Sequence, residues 1–321
     1  MTGERRAAGA KATADAPLRG ILFLVTGIAV FSTQDVIIRL LKDSVPVTEF
    51  VLLRSAFSLI PLAALIAWEG GIAVIRTRRP WLQLARGLLL LGSYTTYYMA
   101  VVSLPLADAV ALFFITPLFV TTFSILLLRE RVRPSRWIAL VAGFAGVVVI
   151  VRPGQGMIEL GAVFAIASAV VYALASILTR KMRTTESSTG MVFWMSMVYL
   201  GGSSLLGLAT HDIPAPASAD PAIAFFLQPW VVPAWKDLAW LAACGLVAIV
   251  GFICLVQAYR IAPASTVTPF EYTGILWGAF WGFVLWREVP DLWTLVGIGM
   301  VVGSGLAIIR QEAAGKPRAA G

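Results

Sequence analysis

The sequence predicts an all-α integral membrane protein whose ten transmembrane helices form two inverted five-helix repeats. Three observations lead to this fold class: an apolar composition, ten apolar segments of membrane-spanning length, and an internal repeat. Hydrophobic residues make up 59% of the 321 residues and charged residues only 13%, whereas soluble proteins average about 25% charged residues. Little of the chain is left for a soluble domain.

Ten segments are apolar over roughly the length of a transmembrane helix, which needs about 20 residues to cross the hydrocarbon core. An even number of crossings places both ends of the chain on the same side of the membrane. The segments run at 20–41, 46–68, 81–102, 105–128, 136–152, 159–180, 189–209, 237–259, 262–286 and 291–309.

These segments divide the chain into two halves with short tails. We expect a cytoplasmic tail at 1–19, a first repeat at 20–152, a second repeat at 159–310 and a cytoplasmic tail at 311–321. The first tail is polar and Ala-rich, and we expect it to be disordered. The long connection 210–236 contains five prolines that prevent a continuous helix, so we expect an extracytoplasmic loop there.

The basic residues are concentrated on one side of the predicted membrane. Most of the 25 Lys and Arg residues lie in segments that share a side with the N-terminus, and positively charged segments are retained in the cytoplasm. We therefore expect cytoplasmic termini in a bacterial-type inner membrane. The net charge of +8 reports this orientation rather than nucleic-acid binding.

Cysteine and histidine are too few for metal or redox chemistry. Cys244 and Cys254 lie in one apolar segment and His211 is the one histidine, so neither a disulfide framework nor a Cys/His metal cluster is available. We expect no metal and no cofactor. The sequence also lacks a nucleophile elbow, a metalloprotease motif and a phosphate-binding loop, which argues against an enzyme and against a self-contained ATP-driven pump.

The two halves repeat one another. "PLADAVALFFITPLFVTTFSILLLRERV", which begins at residue 105, aligns without a gap with "PASTVTPFEYTGILWGAFWGFVLWREVP", which begins at residue 263. Each stretch begins with a proline, and each has an Arg-Glu pair near its C-terminal end. Because each half has five helices, an odd number, the second half enters the membrane from the opposite side. Such inverted repeats are frequent in secondary transporters, which bind substrate near the midplane between the halves.

These residues resemble the EamA repeat of the drug/metabolite transporter superfamily. In both halves the Arg-Glu pair is followed by a Trp and a Gly-rich helix, "RWIALVAGFAGVVVIVRPG" and "LWTLVGIGMVVGSGLAIIR". "FSTQDVIIRLL", "TEFVLLRSAFS" and "TPFEY" are similar to the bacterial branch that includes S-adenosylmethionine and riboflavin carriers. The resemblance, over residues 20–310, implies a ten-helix carrier with a central cavity formed by the first four helices of each half.

Ionisable residues inside the apolar segments are candidates for substrate binding, because a charge in the hydrocarbon costs at least about 2.5 to 3.5 kcal/mol. Asp35 and Arg54 fall at similar depth in the first two segments, which predicts an ion pair, and Gln34 lies beside them. Arg86 lies near the cytoplasmic end of the third segment. A structural role with its head group at the membrane surface and a binding role are both open for it.

Glu271 lies about 13 Å from the cytoplasmic end of the ninth segment, close to the midplane. Three roles are open for this carboxylate. It could form an ion pair with Arg54 or Arg86, contact a cationic or hydrogen-bonding substrate, or carry a coupling proton. The proton-coupling role is open for Asp35 as well. The sequence does not decide among them.

Two prolines are candidates for helix-breaking positions near the predicted site. Pro269 lies two residues before Glu271, and Pro117 lies in the fourth segment at a related depth. Each removes a backbone N–H donor, which can open a helix and free carbonyl groups at the depth of a cavity. A plain helix kink is the alternative for both.

Aromatic residues complete the predicted substrate site, because they can stack on a planar or cationic molecule. In the third segment Tyr94, Tyr97 and Tyr98 share one helical face. For Tyr97 and Tyr98 the lipid interface is an alternative location. The remaining aromatic candidates are Phe113, Phe270, Tyr272 and Trp277.

Together these observations predict a secondary transporter that moves a small organic metabolite by alternating access. The candidate substrates are an adenosyl compound, a flavin, an amino acid or an amine. Apart from the lipid bilayer and the substrate, protons or a counter-substrate are open as coupling partners. Monomer and homodimer, import and export are equally open. A membrane-embedded enzyme or a channel is the alternative function.

Overall fold

A computed structural model describes residues 2–41, 44–104, 109, 112–151, 160–210, 213–214, 216, 220–287 and 292–314. All regular secondary structure in these residues is helical. The predicted all-α class is therefore confirmed for the described part of the chain.

Ten long helices account for most of the described residues, and we number them α1 to α10. They are α1 Thr2–Leu41, α2 Val47–Glu69, α3 Pro80–Ser103, α4 Thr116–Leu128, α5 Pro134–Val151, α6 Leu160–Lys181, α7 Ser188–Thr210, α8 Trp235–Ile261, α9 Gly274–Trp286 and α10 Leu292–Ala314. Short helical turns connect some of them, namely Gly71–Ile75, Pro221–Phe226, Ala264–Val267 and the 3₁₀ turn Thr268–Thr273.

Five of these helices are long and apolar enough to cross a membrane. They are α1, through its part Pro17–Gln34, and α2, α6, α7 and α8. Shorter apolar stretches lie in α4, α5 and α10. The structure thus contains fewer clear spans than the ten that we predicted, and membrane crossing by all ten long helices stays a prediction.

Three helix boundaries differ from those expected. α1 begins at Thr2, so the tail that we expected to be disordered is helical; its alanine-rich composition favours helix. α4 begins at Thr116, after a turn at 114–115, with Pro117 in its first turn. The predicted ninth segment is broken into Ala264–Val267, the 3₁₀ turn with Pro269, and α9. Helix thus gives way to turn beside both prolines.

The helices pack in a pattern that relates the two halves. The extensive pairs are α1 with α8, α3 with α6, α5 with α10, and α2 with α7 and α8, followed by α3 with α7 and α4 with α6. α1 also packs on α9 and on the 3₁₀ turn before it. Exchanging each helix with its counterpart in the other half, α1 with α6, α2 with α7 and so on to α5 with α10, reproduces this set of pairs.

Glycines permit the close approach of α5 and α10. A methyl group built on Gly146 would lie 2.8 Å from the carbonyl oxygen of Gly297, which is closer than side chains tolerate. On the same helix, a methyl group on Gly143 would meet the ring of Tyr272 at 2.7 Å. These small residues therefore allow the two Gly-rich helices to come into contact.

The Arg-Glu pairs mark matching backbone turns in the two halves. Arg129 follows α4 with φ of 54°, and Arg287 follows α9 with φ of 56°. Among the described residues they are the two non-glycine residues with positive φ, a conformation that disfavours residues with a Cβ atom. Each ends its helix in the left-handed geometry typical of a helix C-terminus.

The described part of the connection between α7 and α8 lies against the ends of α2 and α3. Trp230 donates from Nε1 to Thr48 Oγ1 at 2.9 Å, and the backbone N–H of Val231 donates to Glu49 Oε2 at 3.0 Å. Ser103 donates to Asp220 at 3.0 Å. This segment therefore packs over the N-terminus of α2, within two turns of Arg54.

Candidate functional site

Arg54 on α2 is a buried cation, with 1% of its surface exposed. Its Nη1 donates to Gln34 Oε1 at 3.2 Å, and Gln34 Nε2 in turn donates to the hydroxyl of Tyr94 at 3.2 Å. Three rings face its Cζ atom, Tyr94 at 4.7 Å, Phe252 at 5.3 Å and Tyr199 at 5.5 Å. Its Nε has no hydrogen-bond partner within the described structure. We call Gln34, Tyr94, Tyr199 and Phe252 the arginine cage.

The cage depends on a close contact between α2 and α8. A methyl group built on Gly245 of α8 would lie 2.8 Å from the backbone carbonyl oxygen of Arg54 and 2.9 Å from the backbone nitrogen of Ser58. The contacts are with main-chain atoms, which cannot rotate away. Glycine at position 245 therefore lets α8 reach α2, and α8 carries Phe252 to the arginine.

Glu271 lies in the 3₁₀ turn and has 8% of its surface exposed. The hydroxyl of Tyr259 on α8 donates to its Oε1, and the side chain of Tyr172 on α6 lies beside the carboxylate. Both tyrosines thus contact one carboxylate from different helices.

Glu271 does not form the ion pair that the sequence left open. Arg54, Arg86 and Glu271 all belong to the described residues, and neither arginine lies within ion-pair distance of the carboxylate. Among the described residues, its hydrogen-bond donor is the hydroxyl of Tyr259 instead. The substrate-contact and proton-coupling roles therefore remain for Glu271.

The 3₁₀ turn determines which way its side chains face. Thr268 donates from its hydroxyl to the carbonyl of Ala264, and Thr273 donates to the carbonyl of Phe270 at 2.7 Å. A 3₁₀ turn has three residues per turn rather than 3.6, so neighbouring side chains point further apart. Glu271 faces α6 and α8, whereas Tyr272 packs on α5 with its hydroxyl 3.4 Å from the carbonyl oxygen of Leu140.

Five aromatic rings connect the arginine cage with Glu271. The ring centroids of Tyr94 and Tyr98 are 4.6 Å apart, those of Tyr98 and Tyr97 are 5.4 Å apart, and those of Tyr97 and Phe113 are 5.0 Å apart. Phe113 lies 5.7 Å from Tyr172, which contacts Glu271. We call Tyr94, Tyr98, Tyr97, Phe113 and Tyr172 the aromatic row.

The aromatic row shows where Tyr97 and Tyr98 lie, for which the sequence left the lipid interface open as an alternative. Tyr98 has 7% of its surface exposed, and Tyr97 packs against Phe113. Both therefore lie among interior rings and not in a belt at the lipid interface. The row brings together Tyr94, Tyr97, Tyr98 and Phe113 of the predicted site.

Arg86 has a different environment from Arg54. It is 2% exposed, its Nε donates to Thr179 Oγ1 at 2.6 Å, and its Nη1 donates to the carbonyl of Met191 at 3.1 Å. These bonds join α3 to α6 and α7. Protein groups thus use the donors of Arg86, which supports its structural role.

Three further candidates lie apart from the aromatic row. Phe270 is buried in the core beside Gly305 of α10, 3.4 Å from a methyl group built there. Tyr272 packs between α5 and α10, and Trp277 packs against Phe280, which is 47% exposed. The side chain of Asp35 lies outside the described residues, so its ion pair with Arg54 stays a prediction.

A polar cluster joins the ends of α4, α6 and α8. Arg180 Nε lies 3.4 Å from Glu130 Oε1, and Ser265 donates to Glu130 Oε2 at 3.3 Å. Arg180 also donates to the carbonyl of Arg260 at 2.9 Å, and Arg260 donates to Ser188 at 2.9 Å. We call these residues the Glu130 cluster. Glu130, which belongs to one of the Arg-Glu pairs of the repeat, therefore forms an ion pair with Arg180.

Comparison with known families decides the identity of the fold. The model of the EamA-like transporter family matches residues 18–152 and again residues 159–310, so almost the whole chain is covered by two copies. The chain belongs to the EamA-like transporter family. This EamA protein is therefore a membrane transport protein of the drug/metabolite transporter superfamily, and the resemblance stated from its sequence is confirmed.

Curated relatives of this EamA protein are named as transporters. It is 31% identical over 296 residues to the pseudopaline exporter CntI of Pseudomonas aeruginosa, covering 91% of this chain and 96% of the relative. It is 26% identical over 295 residues to the S-adenosylmethionine uptake transporter of Rickettsia prowazekii, covering 92% and 94%. It is also 26% identical over 242 residues to the riboflavin transporter of Rhizobium johnstonii, covering 75% and 74%.

A solved crystal structure shares the fold of this EamA protein. The two superpose with a TM-score of 0.74 at 20% sequence identity, over 91% of this chain and 98% of the other. At this identity the likeness shows the fold alone.

Four residues of the site in this EamA protein escaped the sequence analysis as site residues, namely Tyr172, Tyr199, Phe252 and Tyr259. Each lies in an apolar helix of the second half and carries no charge that would mark it. A second, weaker match between the first and sixth apolar segments, at an offset of 141 residues, offered one hint because it aligns Tyr172 with Phe31. Their roles follow from contacts between α6, α7, α8 and the first half, which sequence spacing does not reveal.

Proposed function

We propose that this EamA protein is a secondary transporter that carries a small organic metabolite by alternating access around the arginine cage, the aromatic row and Glu271. One observation carries the proposal. Two buried charges of opposite sign, Arg54 and Glu271, lie at the two ends of a continuous row of aromatic rings, and no ion pair joins them.

The energetic cost of these charges supports a role in transport. An ionisable side chain inside the hydrocarbon region costs at least about 2.5 to 3.5 kcal/mol and marks a functional site by default. Packing alone would favour apolar residues at both positions. A substrate with polar groups and a flat apolar part matches both kinds of surface, since the rings offer stacking and the charges offer hydrogen bonds.

The pattern of helix packing supports the inverted repeat. The contact pairs are reproduced when each helix is replaced by the one five places further along, as expected for two five-helix halves related by a two-fold axis. The matching left-handed turns at Arg129 and Arg287 agree with this relation. Ten membrane crossings, cytoplasmic termini and an inner-membrane location complete the proposal.

The relatives named for S-adenosylmethionine and riboflavin support the first two of four candidates. We propose an adenosyl compound, a flavin, an amino acid or an amine as substrate. The relatives comprise an exporter and uptake transporters, so the direction of transport has to be measured. An enzyme or a channel is the competing proposal.

Flux into proteoliposomes tests the proposed function. The purified full-length chain is reconstituted, and uptake of radiolabelled S-adenosylmethionine, riboflavin, tryptophan and tyramine is measured against protein-free liposomes. A carrier gives uptake that saturates with concentration and leaves the compound chemically intact. Flux that rises linearly with concentration would identify a channel, and a converted product would identify an enzyme; either result contradicts the proposal.

A further inference from the structure

We propose that Arg54 binds a carboxylate group of the transported molecule, so that the substrate belongs to the class of organic carboxylates. This inference rests on the proposed carrier function and names the chemistry that one end of its site selects. It is carried by an unpartnered donor on a fully enclosed cation.

The arginine cage stabilises the charge of Arg54 without using all of its donors. A guanidinium group has five N–H donors in one plane and no acceptor. Tyr94, Tyr199 and Phe252 attract the cation through their ring faces, but a ring face is a poor acceptor for an in-plane N–H. Of the described residues, Gln34 accepts one bond from Nη1, and Nε has none.

A carboxylate is the ligand that matches this remaining capacity. Burying an unsatisfied N–H of a cation is costly, so a resting site that keeps one is suited to a partner that arrives from outside. The planar fork of arginine binds a carboxylate through two parallel N–H···O bonds. Among the described side chains of Arg54 and its cage, Arg54 carries the one charge, and a singly charged carboxylate balances it. A phosphate monoester would bring a second negative charge for which these side chains provide no cation.

The cage also offers groups for the atoms next to a carboxylate. The amide of Gln34 and the hydroxyl of Tyr94 lie in the same hydrogen-bonded chain as Arg54. The aromatic row begins at Tyr94 and continues towards Glu271. A molecule whose carboxylate lies at Arg54 therefore has the rings of the aromatic row available for its flat part in the direction of Glu271.

Arg86 provides a matched control within the same protein. It is buried to a similar degree, but its Nε and Nη1 donate to Thr179 and to the carbonyl of Met191. The two arginines thus share charge, burial and residue type and differ in whether Nε is satisfied by the protein. A preference for carboxylates should depend on Arg54 and not on Arg86.

The experiment compares compounds that differ only in a carboxylate. Saturable uptake into proteoliposomes is measured for S-adenosylmethionine against its decarboxylated analogue, and for tryptophan and tyrosine against tryptamine and tyramine. Riboflavin serves as a flat compound without a carboxylate. The proteins are the wild type, Arg54→Gln, Arg54→Lys and Arg86→Lys. Size-exclusion profiles and melting temperatures in detergent identify any variant that does not fold.

We expect the wild type to transport at least one of the acids with kcat/KM about ten- to hundredfold above that of its amine, the range for a charge-assisted hydrogen bond. Arg54→Gln should bring this ratio to about one, and Arg54→Lys should retain part of it because a point charge replaces the fork. Arg86→Lys should keep the full ratio.

Two results would overturn the inference and leave the carrier function intact. The first is that the wild type transports the amines, or riboflavin, as well as it transports the acids. The second is that folded Arg54→Gln keeps the wild-type ratio of kcat/KM between acid and amine. If none of the compounds shows saturable uptake by the wild type, the proposed function itself is contradicted, and the inference with it.

Discussion

Arg54 and Glu271 are two buried charges in one protein, and different kinds of groups contact them. Ring faces and one amide oxygen surround the arginine, which retains an unpartnered donor. The hydroxyl of Tyr259 donates to the carboxylate, and Tyr172 lies beside it. A ring face cannot exchange a proton with the cation, whereas a hydroxyl can both donate to a carboxylate and pass a proton on.

The difference suggests a division of roles between the two ends of the aromatic row. The cation keeps its charge under all conditions, because arginine stays protonated in proteins, and is suited to binding an anion. The carboxylate can exist with or without a proton beside the two tyrosines, and is suited to coupling. Four predictions, taken from the largest expected effect to the smallest, test this comparison.

Replacing the carboxylate breaks the comparison most directly. We expect Glu271→Gln to lose proton-driven accumulation of substrate down to the level of protein-free liposomes, because glutamine cannot carry the coupling proton. Exchange of internal for external substrate should continue, because it needs no net proton movement. The measurement compares uptake driven by a pH gradient with counterflow at equal pH.

The two assays separate the roles that remain open for Glu271. Loss of counterflow as well as accumulation in a folded Glu271→Gln protein would identify substrate contact as the role of the carboxylate. Glu271→Asp keeps an ionisable group and should retain part of the proton-driven uptake. Full proton-driven accumulation by Glu271→Gln would refute coupling at this position.

Removing one tyrosine hydroxyl at a time sharpens the comparison at the carboxylate. We expect Tyr259→Phe and Tyr172→Phe each to lower kcat/KM for transport about tenfold, since Tyr259→Phe removes a hydrogen bond to a buried charged group and Tyr172→Phe removes a hydroxyl beside it. Tyr172 belongs to the aromatic row, so its change should act mainly on KM. Tyr259 does not, so its change should act mainly on kcat.

Initial uptake rates over a range of substrate concentrations measure both constants. Tyr199→Phe is the control, because Tyr199 contacts Arg54 through its ring, which phenylalanine retains. The assignment of the two hydroxyls fails if Tyr199→Phe proves as damaging as the other two variants.

The two arginines extend the comparison to stability. We expect Arg86→Lys to destabilise the fold by roughly 1 to 3 kcal/mol, because its bonds to Thr179 and Met191 join three helices. Arg54→Lys should destabilise the fold less. Among the described residues, Nη1 of Arg54 donates one hydrogen bond, to Gln34, and Nε donates none. Thermal unfolding in detergent measures both, and the reverse order would show that Arg54 is the structural arginine.

The Glu130 cluster provides the smallest expected effect. Glu130→Gln removes an ion pair in which the side chains are 10% and 16% exposed, and such a pair with access to water contributes up to about 1 kcal/mol. We expect a melting temperature within a few degrees of the wild type and loss of its dependence on salt. A larger loss would place the Glu130 cluster among the elements that hold the fold together.

Much of the fold was accessible from sequence, because membrane helices follow from apolar length and the repeat follows from the Arg-Glu landmarks. The burial of Glu271 and Arg54 followed from depth along their helices. Tyr259 was not accessible, since a tyrosine in an apolar helix carries no pattern that identifies its partner. Phe270 and Tyr272 were predicted as site residues because they are aromatic neighbours of Glu271 in the ninth segment, and the 3₁₀ turn directs them into the core instead.

The exchange pattern of the helix pairs has a mechanical consequence for the proposed alternating access. The pairs α5–α10 and α2–α7 map onto themselves when the halves exchange roles, whereas α1–α8 and α3–α6 map onto one another. A rocking motion that converts one facing of the carrier into the other can therefore preserve the first two contacts as pivots. In that proposed motion the helices of the pairs α1–α8 and α3–α6 slide past each other. Both pairs lie beside Tyr259 and Tyr172, which contact Glu271.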